Sequence, residues 1–108
     1  MLPMRILKYE LEIKDRQTIP IGNGQARPLS AAEQNGKLML WCMVKEDFFP
    51  ADYKCSVVVD IVGTGHFHDD KCQIYKSDFV GTVVMRNGFV WHVFAREELP
   101  KDNNVPKA

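Results

Sequence analysis

The sequence has no long apolar run. Neither residues 38–44 nor residues 89–95, the latter interrupted by His92, approach the roughly 18–20 residues a membrane helix needs. Nor does it carry an excess of one charge, since fourteen basic residues offset fourteen acidic ones. Zero net charge removes the long-range attraction behind non-specific binding to nucleic acid or anionic lipid and leaves only local patches to act. The reading is therefore no nucleic acid and no membrane. Cysteine is scarce: Cys42, Cys55 and Cys72 are widely spaced and form no Cys-x-x-Cys pair, which argues against a disulfide framework or a thiolate zinc site. A reducing cytosol fits, with Cys42 and Cys55 acting as small hydrophobes inside apolar stretches. At the N-terminus, Lys8, Glu10 and Glu12 interrupt what a signal peptide would need as an apolar stretch of about 7–15 residues, so the chain is expected not to be secreted. Gly-x-Ser-x-Gly is missing, as is a glycine loop before Lys-Ser/Thr, so acyl transfer and ATP hydrolysis have no support.

What remains is a chain of 108 residues with 45% hydrophobic and 26% charged residues, which is enough for one globular domain and too little for two. Residues 1–98 are expected to form a single β-rich domain. Residues 99–108, with Pro100 and Pro106, are expected to be a flexible tail. Apolar residues recur with period two rather than 3.6. Leu7, Tyr9, Leu11 and Ile13 alternate with charged residues as a first strand. Residues 15–24 carry Pro20, Gly22 and Gly24 and are expected to be a loop, with a short extended piece at 18–21.

Asn35-Gly36 predicts a two-residue hairpin turn, because a type I′ turn needs positive φ at both central residues. That turn pairs Gln34 with Lys37, Ala32 with Met39 and Ser30 with Trp41. Leu38, Leu40, Cys42 and Val44 then share one face, and Met39, Trp41 and Met43 the other. In 46–53, Phe48 and Phe49 are expected to fold onto the core. Residues 55–62 are β-branched and alternating, hence another strand. Asn87-Gly88 predicts a second hairpin by the same logic, pairing Val84 with Trp91 and Val83 with His92. The fold class is all-β with at most minor helix: a small antiparallel curled sheet, barrel or sandwich of 5–6 strands.

Several residues suggest chemistry. Gly63-Thr64-Gly65-His66 follows a strand, and its glycines could bring backbone amides close to a phosphate, although turn geometry alone also explains them. His66, His68, Asp69, Asp70 and Cys72 are individually metal-competent, but their mixed cluster reads best as a polar loop, so no metal site and no cofactor are assigned. His92 reads as a histidine satisfied inside the fold or, paired with His66, as part of a proton shuttle or anion holder. Trp41 and Trp91 read as core or as stacking platforms for a base. The expected ligand-binding set is Trp41, Gly63, Thr64, Gly65, His66, Trp91 and His92, with no catalytic residue assigned.

Several stretches together resemble a known family. They are Ile6-Leu7-Lys8-Tyr9 with Leu11 and Ile13, Asp15-x-Gln17-x-Ile19, and Gln34-Asn35-Gly36-Lys37-Leu38 ending in Leu40-Trp41. Gly63-Thr64-Gly65-His66, Gly81-Thr82-Val83 and Val90-Trp91-His92-Val93-Phe94 complete the set. The chain resembles, over residues 5–96, a widespread family of small proteins of bacteriophages and prophages described as a domain of unknown function. It departs from that pattern at Arg27-Pro28, where the family has an unbroken aliphatic strand, and across the variable residues 67–77. The resemblance implies a phage accessory protein in the host cell cytoplasm. Its expected partner is a host immune protein or a nucleotide second messenger. The alternatives are a small nucleotide hydrolase using His66 and His92, and a homo-oligomeric scaffold paired through the edge near Pro28 to Gln34.

Overall fold

The computed structural model describes residues 3–69, 71 and 73–100, so Asp70, Cys72 and the tail from 101 onward lie outside the described residues. Its strands are β1 (Met4–Leu11), β2 (Arg16–Gly22), β3 (Gln25–Gln34), β4 (Lys37–Lys45), β5 (Cys55–Gly63), β6 (Asp78–Val84) and β7 (Val90–Glu98), with a 3₁₀ turn at Ile74–Lys76. They form two antiparallel sheets, β1-β4-β3 and β2-β5-β7-β6, that are not closed into a barrel. Among the described residues no helix is long and apolar enough to cross a membrane.

Alternation builds the core. Leu38, Leu40, Cys42 and Val44 of β4 are buried and meet Val57, Val59 and Ile61 of β5 and Val93 and Ala95 of β7. Two hydrogen bonds tie the sheets at one side. The Ala26 N–H donates to the Glu97 carboxylate at 2.8 Å, and the Arg86 N–H donates to that of Glu33 at 3.0 Å. Phe49 stacks on buried Tyr53 with ring centroids 5.2 Å apart, while Phe48 stays more exposed.

The first hairpin has the expected register, with Gln34 opposite Lys37, Ala32 opposite Met39 and Ser30 opposite Trp41. Asn35 and Gly36 take φ of 53° and 81°, the pair of positive angles a type I′ turn requires. Three expectations need correction. Ile13 lies past the end of β1 and is largely exposed. Residues 16–22 form a complete strand and not a loop, because β2 is an edge strand bonded only to β5. An edge tolerates Pro20, and a register shift between Pro20 and Gly22 absorbs the irregularity.

The second hairpin is one residue out of the expected register: Val83 pairs with Trp91 and Thr82 with His92. Only Gly88 takes positive φ, at 92°, and the Asn87 side chain accepts the Phe89 N–H at 3.0 Å. Residues 86–88 thus make a three-residue loop ending in a left-handed glycine, which adds one residue to the connection.

Burial pushes the Cys42 thiol up to about 11 from an ordinary 9.0. The unfolded chain therefore loses this proton first as pH rises, so stability held below about pH 9 should decline between about pH 9 and about 11. At pH 8 native Cys42 should resist iodoacetamide while unfolded protein is labelled, as read by peptide mass spectrometry. Rapid native labelling of Cys42 would contradict its placement.

Candidate functional site

At the end of β5 the chain turns sharply, with the His66 N–H donating to the Gly63 carbonyl at 3.0 Å and Gly65 at φ 78°. The His66 ring lies directly on Gly63: a Cβ there would stand 2.3 Å from His66 Nδ1. Trp91 of β7 is paired opposite Gly63, and its ring centroid is 6.3 Å from that of His66 at an edge-on angle of 65°. Phe89 adds a tilted contact with Trp91 at 5.8 Å. Gly63, His66 and Trp91, with Ile13, Asp15 and fully exposed Phe67, line a hollow of about 180 Å³. The missing side chain at Gly63 thus makes room for an aromatic group and not for a phosphate.

Gly63→Ala should leave the fold within about 0.5–1 kcal/mol of the parent, because the displaced imidazole can swing into solvent. The His66 ring resonances should move toward unstructured positions in a proton NMR spectrum. Unchanged His66 shifts would mean that the ring does not rest on Gly63.

His92 is the residue after Trp91 on a strand, so its side chain projects from the opposite face of the sheet. There the Thr64 hydroxyl lies 2.8 Å from Nε2 and the Thr82 hydroxyl 2.9 Å from Nδ1. Both ring nitrogens are engaged, and the one-residue offset of the second hairpin is what sets Thr82 opposite His92. His66 and His92 therefore do not share a pocket.

Trp41 is elsewhere again. It lies on the outer face of the three-stranded sheet with Met39 and Met43, opposite Lys8 of β1 and Ser30 of β3, with exposed Ile6 opposite Met43. The seven expected site residues thus divide into an aromatic hollow, a Thr–His–Thr group that includes Thr64, and an apolar face.

Sequence reasoning missed the outer side of the four-stranded sheet. Asp60 points outward from β5 yet is fully buried, with Arg16, His68 and Arg96 gathered around its carboxylate. Arg16 donates to both carboxylate oxygens, Nε to Oδ1 at 3.0 Å and an Nη to Oδ2 at 3.2 Å. His68 Nε2 lies 3.4 Å from Oδ1 and 3.3 Å from the Asp15 carbonyl oxygen, and Arg96 stands 4.0 Å from Oδ2 while donating to the Ser77 hydroxyl at 2.9 Å. The available signal was a lone carboxylate amid Val58, Val59 and Ile61, since a buried charge requires cationic partners. Beside this network runs a trough of about 610 Å³ lined by Arg16, Arg96, Lys76 and Leu99 among others. Among the described residues no three or more His, Cys, Asp or Glu gather as a metal-ligand set.

Fold and geometry define a two-sheet β-protein that carries a small aromatic hollow and a charged trough on its four-stranded sheet. The chain belongs to the DUF7352 family, a domain of unknown function whose model matches residues 3–104. No curated protein and no solved structure matches it.

Proposed function

We propose that this chain is a non-enzymatic accessory binding protein of bacteriophage or prophage origin that antagonises host defence in the host cytoplasm by sequestering a nucleotide signal. The observation that carries the reading is the hollow in which His66 and Trp91 present ring surfaces around Gly63, beside fully exposed Phe67. Aromatic faces are sequence-tolerant platforms for a base, and a hollow of about 180 Å³ suits a planar ring rather than a whole nucleotide. The hydrolase alternative has weaker support. An acid–base pair must reach one substrate from one side, whereas His66 and His92 flank opposite faces of β7 and both nitrogens of His92 are bonded to threonines.

Native mass spectrometry of protein purified from defence-active cells tests the reading, together with long incubation against cyclic and linear nucleotides. A small anionic adduct, with every nucleotide recovered intact, is the expected result. Turnover, or no adduct alongside a co-purifying host protein, would overturn it.

A second reading, blockade of a host protein, is favoured by one observation. Met39, Trp41, Met43 and exposed Ile6 line an outer sheet face, and β1 is a free edge of that sheet. For a homo-oligomer this free edge is a better candidate than the one near Pro28 to Gln34. The latter lies against β6, with Glu33 holding the Arg86 N–H.

A further inference from the structure

The trough on the four-stranded sheet gathers charge from parts of the chain far apart in sequence. Arg16 comes from β2 and Arg96 from β7, while Lys71 and Lys76 come from the connection that crosses between β5 and β6. Four cations therefore line one cavity of about 610 Å³, a volume within the range of small-molecule sites, in a chain of zero net charge.

Glu97 and Glu98 also line the trough, which keeps an excess of cations. The Glu97 carboxylate is turned to the Ala26 N–H at 2.8 Å, and Glu98 stands 4.0 Å from Arg96 at one end. Asp60 lies fully buried beneath, held by both nitrogens that Arg16 directs at it. That arrangement fixes the guanidinium plane from below, and Ser77 does the same for Arg96 at 2.9 Å. Planar guanidinium groups held in place match phosphate oxygens in two-point fashion, and lysines add point charge. One wall differs in kind: Leu99 lines the trough and offers exposed apolar surface.

The geometry points to this trough as a binding site for a phosphorylated small molecule, with Arg16, Lys76 and Arg96 engaging the phosphate oxygens and Leu99 supporting the rest of the ligand. Asp60 is a positioning residue there, acting through Arg16. The site stands apart from the aromatic hollow, so it holds or fails independently of the base-stacking reading.

Calorimetric titration of the full chain with inorganic pyrophosphate and with adenosine triphosphate, at low and at raised salt, tests it. Saturable binding that weakens with salt is expected for at least one of the two. Lys76→Glu, an exposed position, should weaken it about tenfold, or about 1.4 kcal/mol. Lys8→Glu, on the other sheet, should leave it unchanged. Far-ultraviolet circular dichroism confirms that each variant is folded. The proposal is overturned if neither compound binds, if Lys76→Glu binds as the parent does, or if Lys8→Glu weakens binding as much as Lys76→Glu. Nucleotide binding sensed at Trp91 but indifferent to Lys76→Glu would sink the trough and spare the hollow. Pyrophosphate binding lost in Lys76→Glu with a silent Trp91 would do the reverse.

Discussion

Replacing Asp60 with alanine is expected to destabilise the protein by about 3 kcal/mol, the lower end of the roughly 3–5 kcal/mol seen when one partner of a buried ion pair is removed. The lower end applies because Arg16 keeps about a third of its side chain in water and can rehydrate, whereas Asp60 has none exposed. Arg96 would lose the same counter-charge, and His68 would lose the contact that holds it against β5. Faster amide hydrogen exchange across 64–69 should therefore accompany the loss. Asp60→Asn keeps the volume and one acceptor and should cost less than the alanine variant. Chemical denaturation of the three proteins measures the order. An alanine variant as stable as the parent would mean that the network contributes nothing to the fold.

Leu40→Ala should cost a comparable amount for a different reason. Leu40 is fully buried at the middle of β4, the central strand of its sheet, and faces the other sheet across the core. Its removal forfeits apolar burial and leaves a cavity that strands bonded on both sides cannot collapse to fill, together about 3 kcal/mol. For a domain of this size that corresponds to a melting temperature lower by about 12–20 °C. Met39→Ala, one residue along and on the outer face, is expected to change stability far less. Equal losses at 39 and 40 would contradict the assignment of the two faces.

The contrast between Met39 and Leu40 was legible in the sequence, because period-two alternation assigns faces without knowledge of partners. The register of the first hairpin was legible too, since Asn35 and Gly36 can both adopt positive φ. At Asn87-Gly88 the same dipeptide misled, because the turn type depends on where the loop begins, and Arg86 joins it. Sheet membership could not be read locally: β1 pairs with β4 and leaves β2 to β5, a choice made by long-range packing. The same alternation already separated Trp91 from His92, since neighbours on a strand cannot share a face, and grouping them in one pocket overlooked this. The trough was out of reach for another reason. Arg16 and Arg96 stand at opposite ends of the chain, and only Asp60, a charge inside an apolar strand, hinted that cations must converge on it.

The central claim is that ligand recognition takes place beside Trp91, and fluorescence tests it most directly. With Trp41→Phe, Trp91 becomes the sole tryptophan of the chain. Titration with a panel of cyclic and linear nucleotides should then shift its emission saturably for at least one of them, and the added His66→Ala change should weaken that response while the nucleotide is recovered intact. Emission that no nucleotide alters, from a protein whose circular dichroism remains that of a folded β-sheet, would contradict the account.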